Sequence, residues 1–430
     1  EQTPLVAAFA VKLAHDAGIP AGALQFVPGD GAVGASLTAD PRIAGVAFTG
    51  STEVARLINR ALAAKDGPIV PLIAETGGIN AMIVDATALP EQAVRDILAS
   101  AFQSAGQRCS ALRCLYLQED IAPHVIEMLI GAMNELRMGN PWDLATDVGP
   151  VIDAEAFGNI ADYIAAAGAE VIHQIAAPKD GLFIPPTLIR VPGIAALGRE
   201  IFGPVLHVAT FAAEDLDQVI ADINATGYGL TFGLHSRIDS RVQAMTEALH
   251  VGNLYVNRNQ IGAVVGAQPF GGEGLSGTGP KAGGPEYLVR FGATPPAHPP
   301  APQRSLPGPT GESNRLTLHL RAPILCLGPG AEQAAAQAAT VQALGGTARL
   351  APDAAPESLT QSQDFSAALY WGDATAARAY ARALAARSGP ILPLITGLPD
   401  AAHCFHERHI CIDTTAAGGN AQLLAGAGNA

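Results

Sequence analysis

Val46-Ala47-Phe48-Thr49-Gly50-Ser51-Thr52 and, further on, Gly67-Pro68-Ile69-Val70-Pro71-Leu72-Ile73-Ala74-Glu75-Thr76-Gly77-Gly78 decide the fold. Val46 to Phe48 reads as a short buried strand. Gly50-Ser51-Thr52 opens a helix that runs to about Ala64, and residues 69–74 form the next strand. A strand, a helix and a second strand in close succession are the unit of a parallel α/β sheet. Upstream, Thr3-Pro4 starts a helix over residues 5–17 that Gly18 closes, and residues 24–27 look strand-like before Pro28-Gly29. Downstream the alternation continues, with helices expected over 91–105, 121–136, 216–225 and 240–249.

The same stretch recurs. Aligning Gly50–Ala74 with Gly372–Thr396, an offset of 322, gives 14 identities in 25 gapless positions. Alanine-rich helices match by chance, but the shared Gly-Pro-Ile-x-Pro-Leu-Ile after the helix is not compositional. The tail therefore reads as a second, worn copy of part of the first α/β unit. Between the copies the composition changes over 293–309, where Thr294-Pro295-Pro296-Ala297-His298-Pro299-Pro300-Ala301-Pro302 reads as a stiff linker unable to pair in a sheet.

Composition bounds the function. At 430 residues the chain has room for about three domains. With 25 Lys+Arg against 39 Asp+Glu the net charge is −14, which argues against nucleic acid or an anionic membrane as partner. Hydrophobic content of 49% with 15% charged residues describes a globular chain. Five cysteines are too few for a disulfide scaffold. Neither a leader nor an apolar run of roughly 18 residues is present, so a cytoplasmic protein without a transmembrane segment is expected. The first residue is Glu1 rather than Met, which reads as a chain entered in mid-fold.

Several strings carry chemistry, each with a plainer reading. Gly29-Asp30-Gly31-Ala32-Val33-Gly34 fits a dinucleotide fingerprint or a flexible turn. Gly50-Ser51 could hold a phosphate at a helix start or simply cap the helix. Cys109, in Gly106-Gln107-Arg108-Cys109-Ser110-Ala111, is a buried thiol or, beside Arg108, a nucleophile with thiolate character. Glu75 ends a strand before two glycines, where a carboxylate can serve as base, and the pair suggests covalent thiol catalysis. Glu200-Ile201-Phe202-Gly203-Pro204 and Pro269-Phe270-Gly271-Gly272 are the other unusual strings; the glycines of the latter, continued by Gly279, Gly283 and Gly284, suggest backbone N–H groups lining a ligand or a long surface loop. Cys404-x-His406-x-x-His409-x-Cys411 resembles a zinc box, but its residues alternate as on a buried strand, and no metal site is expected.

Taken together and in order, these strings resemble the aldehyde dehydrogenase superfamily over about residues 1–290. The narrower strings Ala74-Glu75-Thr76-Gly77-Gly78-Ile79-Asn80, Gly274-Leu275-Ser276-Gly277-Thr278-Gly279-Pro280-Lys281 and Leu306-Pro307-Gly308-Pro309-Thr310-Gly311-Glu312-Ser313-Asn314 resemble the proline utilization A family of bifunctional enzymes, as does 414–421. The resemblance implies an incomplete Rossmann-like NAD domain over 1–77 and an α/β catalytic domain over 78–285. A Pro-rich linker over 286–305 and a degenerate dehydrogenase-like domain over 306–430 would follow. It implies NAD-dependent oxidation of L-glutamate γ-semialdehyde, with Cys109 as nucleophile, Glu75 as the base that activates water and the Cys109 N–H as an oxyanion donor. Glu1, Phe48, Thr49, Gly50, Ser51, Glu200 and Phe202 would bind the cofactor, Glu1 disfavouring a 2′-phosphate. Ser110, Gly262, Ala263 and Phe270 would hold the substrate.

The implied partners are the small-molecule aldehyde, a proline dehydrogenase domain in the parent chain (with FAD only there) and a further copy in a homo-oligomer. The parent is read as cytoplasmic or as peripheral at the inner membrane. The family's oxyanion asparagine and cofactor lysine precede the string that opens this chain, so little activity is expected of the chain by itself. At the tail positions equivalent to Glu75 and Ser51 stand Gly397 and Asp373, which implies a copy without catalysis. Two other readings stay open: a dehydrogenase for a different acidic aldehyde, and a scaffold or lid whose catalytic strings are unused.

Overall fold

The computed structural model describes residues 1–292, 301–352 and 354–415. The chain opens with α1 (Pro4–Asp16), α2 (Gly31–Ala39), β1 (Val46–Gly50), α3 (Thr52–Ala64) and β2 (Leu72–Thr76). β1 and β2 lie parallel with Val46 opposite Leu72, the expected strand–helix–strand unit. Ser51 caps α3, its hydroxyl accepting the Val54 N–H at 3.2 Å. Residues 24–27, expected as a strand, pair with no other strand among the described residues. A strand owes its ladder to a neighbour, and local β propensity does not supply one.

The middle of the chain follows as β3 (Ala81–Val84), α4 (Pro90–Phe102), β4 (Cys114–Gln118), α5 (Ala122–Asn134), α6 (Ala154–Ala167), β5 (Val171–Gln174), β6 (Thr187–Arg190), β7 (Val205–Phe211), α7 (Leu216–Ala225), β8 (Tyr228–Gly229), β9 (Thr231–His235), α8 (Asp239–Ala248), β10 (Asn253–Val256) and β11 (Glu273–Gly274). α7 has the expected bounds. α4 stops short of the expected residue 105 because Ser104 and Ala105 take positive φ values of 56° and 54°. Such angles are costly for residues with a side chain, and here they precede the Cys109 loop.

The tail comprises β12 (Gln303–Leu306), β13 (Glu312–Leu320), β14 (Ile324–Cys326), α9 (Gly330–Ala343), β15 (Ala348–Leu350), β16 (Ala367–Leu369), α10 (Ala374–Ala385), β17 (Leu394–Ile395), α11 (Ala401–Cys404) and β18 (Phe405–Asp413). Its own parallel sheet runs β15-β14-β16-β17, while β12, β13 and β18 join the main ten-stranded sheet in the order β12-β13-β18-β10-β9-β3-β4-β7-β6-β5. Gln303–Ser305, assigned to the linker, pair with β13, so the described part of the linker ends in a strand of the main sheet. Residues 293–300 and 416–421, which carried part of the linker and of the terminal string, lie outside the described residues.

The repeat is borne out in register. Ala368 pairs with Leu394 as Val46 pairs with Leu72, both at the offset of 322. Asp373 caps α10 where Ser51 caps α3. The two helices pack together, with Ala63, Ala381 and Ala385 in one apolar cluster. Arg56 donates to the Gly389 carbonyl at 2.8 Å, and its equivalent Arg378 donates to Asp66 at 2.8 Å. Each copy thus reaches the turn before the other's second strand, as subunits do across a twofold axis.

Candidate active site

A cavity of about 880 Å³ lies between the small sheet and the main sheet. Thr49, Gly50, Ser51, Gly77, Cys109, Ser110, Glu200, Phe202, Ala263 and Phe270 line it, with Thr52 and Glu53 at the start of α3. Residues scattered over 220 positions of sequence therefore meet on one wall. Glu1 lies at the exposed start of the chain, outside this wall, where its carboxylate accepts from Gln2 at 3.3 Å. Gly29-Asp30-Gly31 also lies apart. Asp30 caps α2 through the Ala32 and Val33 N–H groups, so that helix start is met by its own carboxylate.

Cys109 is held by its backbone. Asn80 donates to the carbonyls of Cys109 at 2.7 Å and Ala111 at 2.9 Å, and accepts from the Thr231 N–H. Arg113, fully buried, donates to the carbonyls of Gly106, Arg108 and Gly203 and to Glu200 Oε1 at 2.9 Å. One guanidinium therefore ties the cysteine loop to the Glu200–Pro204 segment. Neither Asn80 nor Arg113 was singled out from sequence. The signal for Arg113 was a lone charge inside the apolar run Leu112-Arg113-Cys114-Leu115, where only a fully bonded cation is tolerated.

Gly106 closes the same joint. Its φ is +66°, and an added Cβ would lie 2.1 Å from the Gly203 carbonyl oxygen. Gly106→Ala is expected to cost about 3 kcal/mol or more, through backbone strain and overpacking, read as a lowered denaturant midpoint.

The half-buried Cys109 thiol is pushed up from its ordinary value, first by burial and then by Glu200 and Glu75; the N–H groups of Ser110 and Cys109 pull the other way. This corrects the expectation that Arg108 favours thiolate. Arg108 turns to Ser104 Oγ at 3.2 Å, and desolvation beside two carboxyl groups prevails.

Glu75 is withdrawn from the wall into a nest of glycines. Its Oε2 accepts the Gly272 N–H at 3.0 Å, and the buried Oε1 has no partner among the described residues. A Cβ on Gly271 would stand 2.8 Å from Oε1. Burial pushes Glu75 up to about 8. Behind it, the buried Lys281 ammonium donates to Asn253 Oδ1 at 2.9 Å and to the Gly271 carbonyl, and is pushed down to about 8 by the same desolvation.

Glu200 occupies the space that Gly77 leaves free, where an added Cβ would fall 2.0 Å from its Oε2. Phe202 is exposed at the wall, 5.3 Å from the Arg113 guanidinium. Ser110 is buried, its carbonyl accepting from Thr231 and Gln260. Gly262, with φ of +72°, precedes Ala263 in the loop after β10, and Phe270 exchanges backbone bonds with Ala282.

Cys404, His406, His409 and Cys411 have separate surroundings. Cys404 packs in a tail core, His406 faces Glu273, His409 meets Asn314 and Cys411 accepts from Arg258. Among the described residues no helix is long and apolar enough to cross a membrane.

Residues 1–294 match the aldehyde dehydrogenase family. The bifunctional protein PutA of Salmonella typhimurium is 44% identical over 514 residues, covering 99% of this chain and 39% of its own. A crystal structure of bifunctional proline utilization A superposes with a TM-score of 0.66 at 61% identity, over 68% of this chain and 30% of that one. A 1-pyrroline-5-carboxylate dehydrogenase from Thermus with bound NAD gives 0.63 at 37% identity, over 67% of this chain and 57% of that one. The chain thus spans well under half the length of the PutA proteins it matches. The matched residues are those that build the cavity wall, and the chain belongs to the aldehyde dehydrogenase family.

Proposed function

We propose that this chain forms the catalytic part of an NAD-dependent L-glutamate γ-semialdehyde dehydrogenase, within a longer bifunctional protein whose other part is an FAD-dependent proline dehydrogenase. The observation that carries the reading is the meeting of Cys109, Glu200 and the start of α3 in one cavity, with the Glu75 carboxyl stored behind it. The relatives' names supply the substrate.

The residues suit the cofactor. The first N–H groups of α3 offer a pyrophosphate site, Glu200 reaches the cavity between Gly77 and Arg113 to meet ribose hydroxyls, and Phe202 gives an apolar wall. NAD, when bound, supplies the hydride acceptor.

The protein's own groups do the rest. Cys109 Sγ loses its proton and adds to the aldehyde carbon, and the developing oxyanion meets the Cys109 N–H. After oxidation the acyl group remains on Cys109 as a thioester. Glu75 swings from its glycine nest and takes a proton from the water that cleaves it. Gly262 and Ala263 present N–H groups to the substrate's carboxylate. The tail copy, with Gly397 and Asp373 at the two key positions, is non-catalytic. It contributes strands to the main sheet and stands where a second subunit would pack.

A base acts only when deprotonated. With Glu75 pushed up to about 8, thioester hydrolysis rises with pH and levels off above that value. Glu75→Gln is expected to lower turnover by about 10²–10⁴-fold, to remove that rising limb and to leave a first burst of NADH, followed by stopped-flow absorbance. The function is tested by NADH formation in the full-length protein. A clear preference for the semialdehyde over neutral aldehydes supports it; equal rates with both overturn it.

A further inference from the structure

The loop after β10 is pinned at both ends and loose between them. At its start the buried Gln260 donates its N–H to Ser100 Oγ at 3.1 Å and its side chain to the Ser110 carbonyl at 3.2 Å. Gly262 and Gly266 take positive φ, and Val264 and Val265 are exposed. Among the described residues no acceptor meets the N–H of Gly262 or Ala263. The far end is closed by Gln268, which is buried. Its Oε1 accepts the Val264 N–H at 3.2 Å, and its own N–H donates to the Val264 carbonyl at 2.9 Å.

A glutamine amide can point either way, and its partners decide which. Gln268 Nε2 donates to Glu312 Oε1 at 3.0 Å. An ionised carboxylate only accepts, so Glu312 turns the amide nitrogen toward itself and leaves Oε1 for Val264. Glu312 is fixed in turn by Arg258 Nη1 at 2.6 Å and by Asn314 Nδ2 at 2.8 Å. It is the first residue of β13, on the far side of the Pro-rich stretch from the site.

We infer that Glu312 is a positioning residue for substrate recognition: through Gln268 it sets the loop whose Gly262 and Ala263 N–H groups receive the substrate's carboxylate. This rests on the semialdehyde reading above. Glu312 touches no substrate. It fixes which atom of Gln268 faces the loop, and so the direction of the loop's donors. An aldehyde without a carboxylate makes no use of those donors and is indifferent to it.

The test is steady-state kinetics on the full-length protein with two substrates, L-glutamate γ-semialdehyde and butanal. Glu312→Ala is expected to raise KM for the semialdehyde about tenfold, with kcat within about twofold and kcat/KM for butanal unchanged. Glu312→Gln, which keeps an acceptor but loses the charge, falls between. Gln268→Leu reproduces the split from the other side and reports the same point if Glu312→Ala does not fold. The double variant is no worse than the poorer single one, because both break one connection. Unchanged KM in both single variants, or equal losses on both substrates, overturns the inference. A wild-type enzyme that handles the two aldehydes equally well removes the semialdehyde reading itself, and the inference with it. A wild-type preference that is undiminished in both variants removes only the inference.

Discussion

Replacing Cys109 by alanine is expected to abolish NADH formation from any aldehyde, a loss of about 10⁴-fold or more, because no second group can take over the covalent step. The other four cysteines are buried, and Cys109 alone is half-buried at the cavity wall. The same variant settles whether the thiol is used. Iodoacetamide should label wild-type Cys109, more rapidly as pH rises, since burial and two neighbouring carboxyl groups hold the thiol protonated at neutral pH. NAD should alter that labelling, and mass spectrometry should find none at position 109 in the alanine variant. An inert Cys109 in the full-length protein would favour the scaffold reading.

A large loss of stability is expected from Arg408→Ala. Arg408, on β18, donates to Glu273 Oε1 at 2.8 Å, with side-chain exposures of 8% and 7%. Glu273 closes the string that holds Phe270 and the glycine nest of Glu75. Removing the cation leaves a buried carboxylate whose remaining ion-pair contact among the described residues is His406 at 3.5 Å, a ring that burial holds neutral. Stranding one member of a buried pair costs about 3–5 kcal/mol. The denaturant midpoint of the transition that includes β18 should fall accordingly at unchanged slope. A double replacement of Arg408 and Glu273 by methionine should recover most of the loss, since both charges then leave together.

What the sequence made legible was local. The strand–helix–strand unit at Val46–Thr76, the bounds of α7, and the repeat at offset 322 rest on periodicity, glycine and proline placement, and identity of short strings. The cavity wall was legible for the same reason, because Ser51, Cys109, Glu200 and Phe270 each sit in an unusual string. What stayed hidden was long-range. No local pattern says that β18 pairs with β10, that Arg113 bonds two distant loops, or that Glu75 rests among Gly271, Gly272 and Gly277. The thiol's protonation was misjudged from a sequence neighbour, Arg108. The groups that govern it, Glu200 and Glu75, are near in space only.

The placement of β18 also orders events in time. Asn253 on β10 pairs with His409, and Glu312 on β13 pairs with Asp413, so residues 405–413 fill a gap between strands made much earlier. On the ribosome β10 emerges long before β18 exists, and the edge that β18 covers stays open until that strand is delivered. The main sheet therefore cannot close one segment at a time from the N-terminus. A nascent chain stalled in the tail before β18 presents that open edge to chaperones and proteases, and a chain carried through β18 does not.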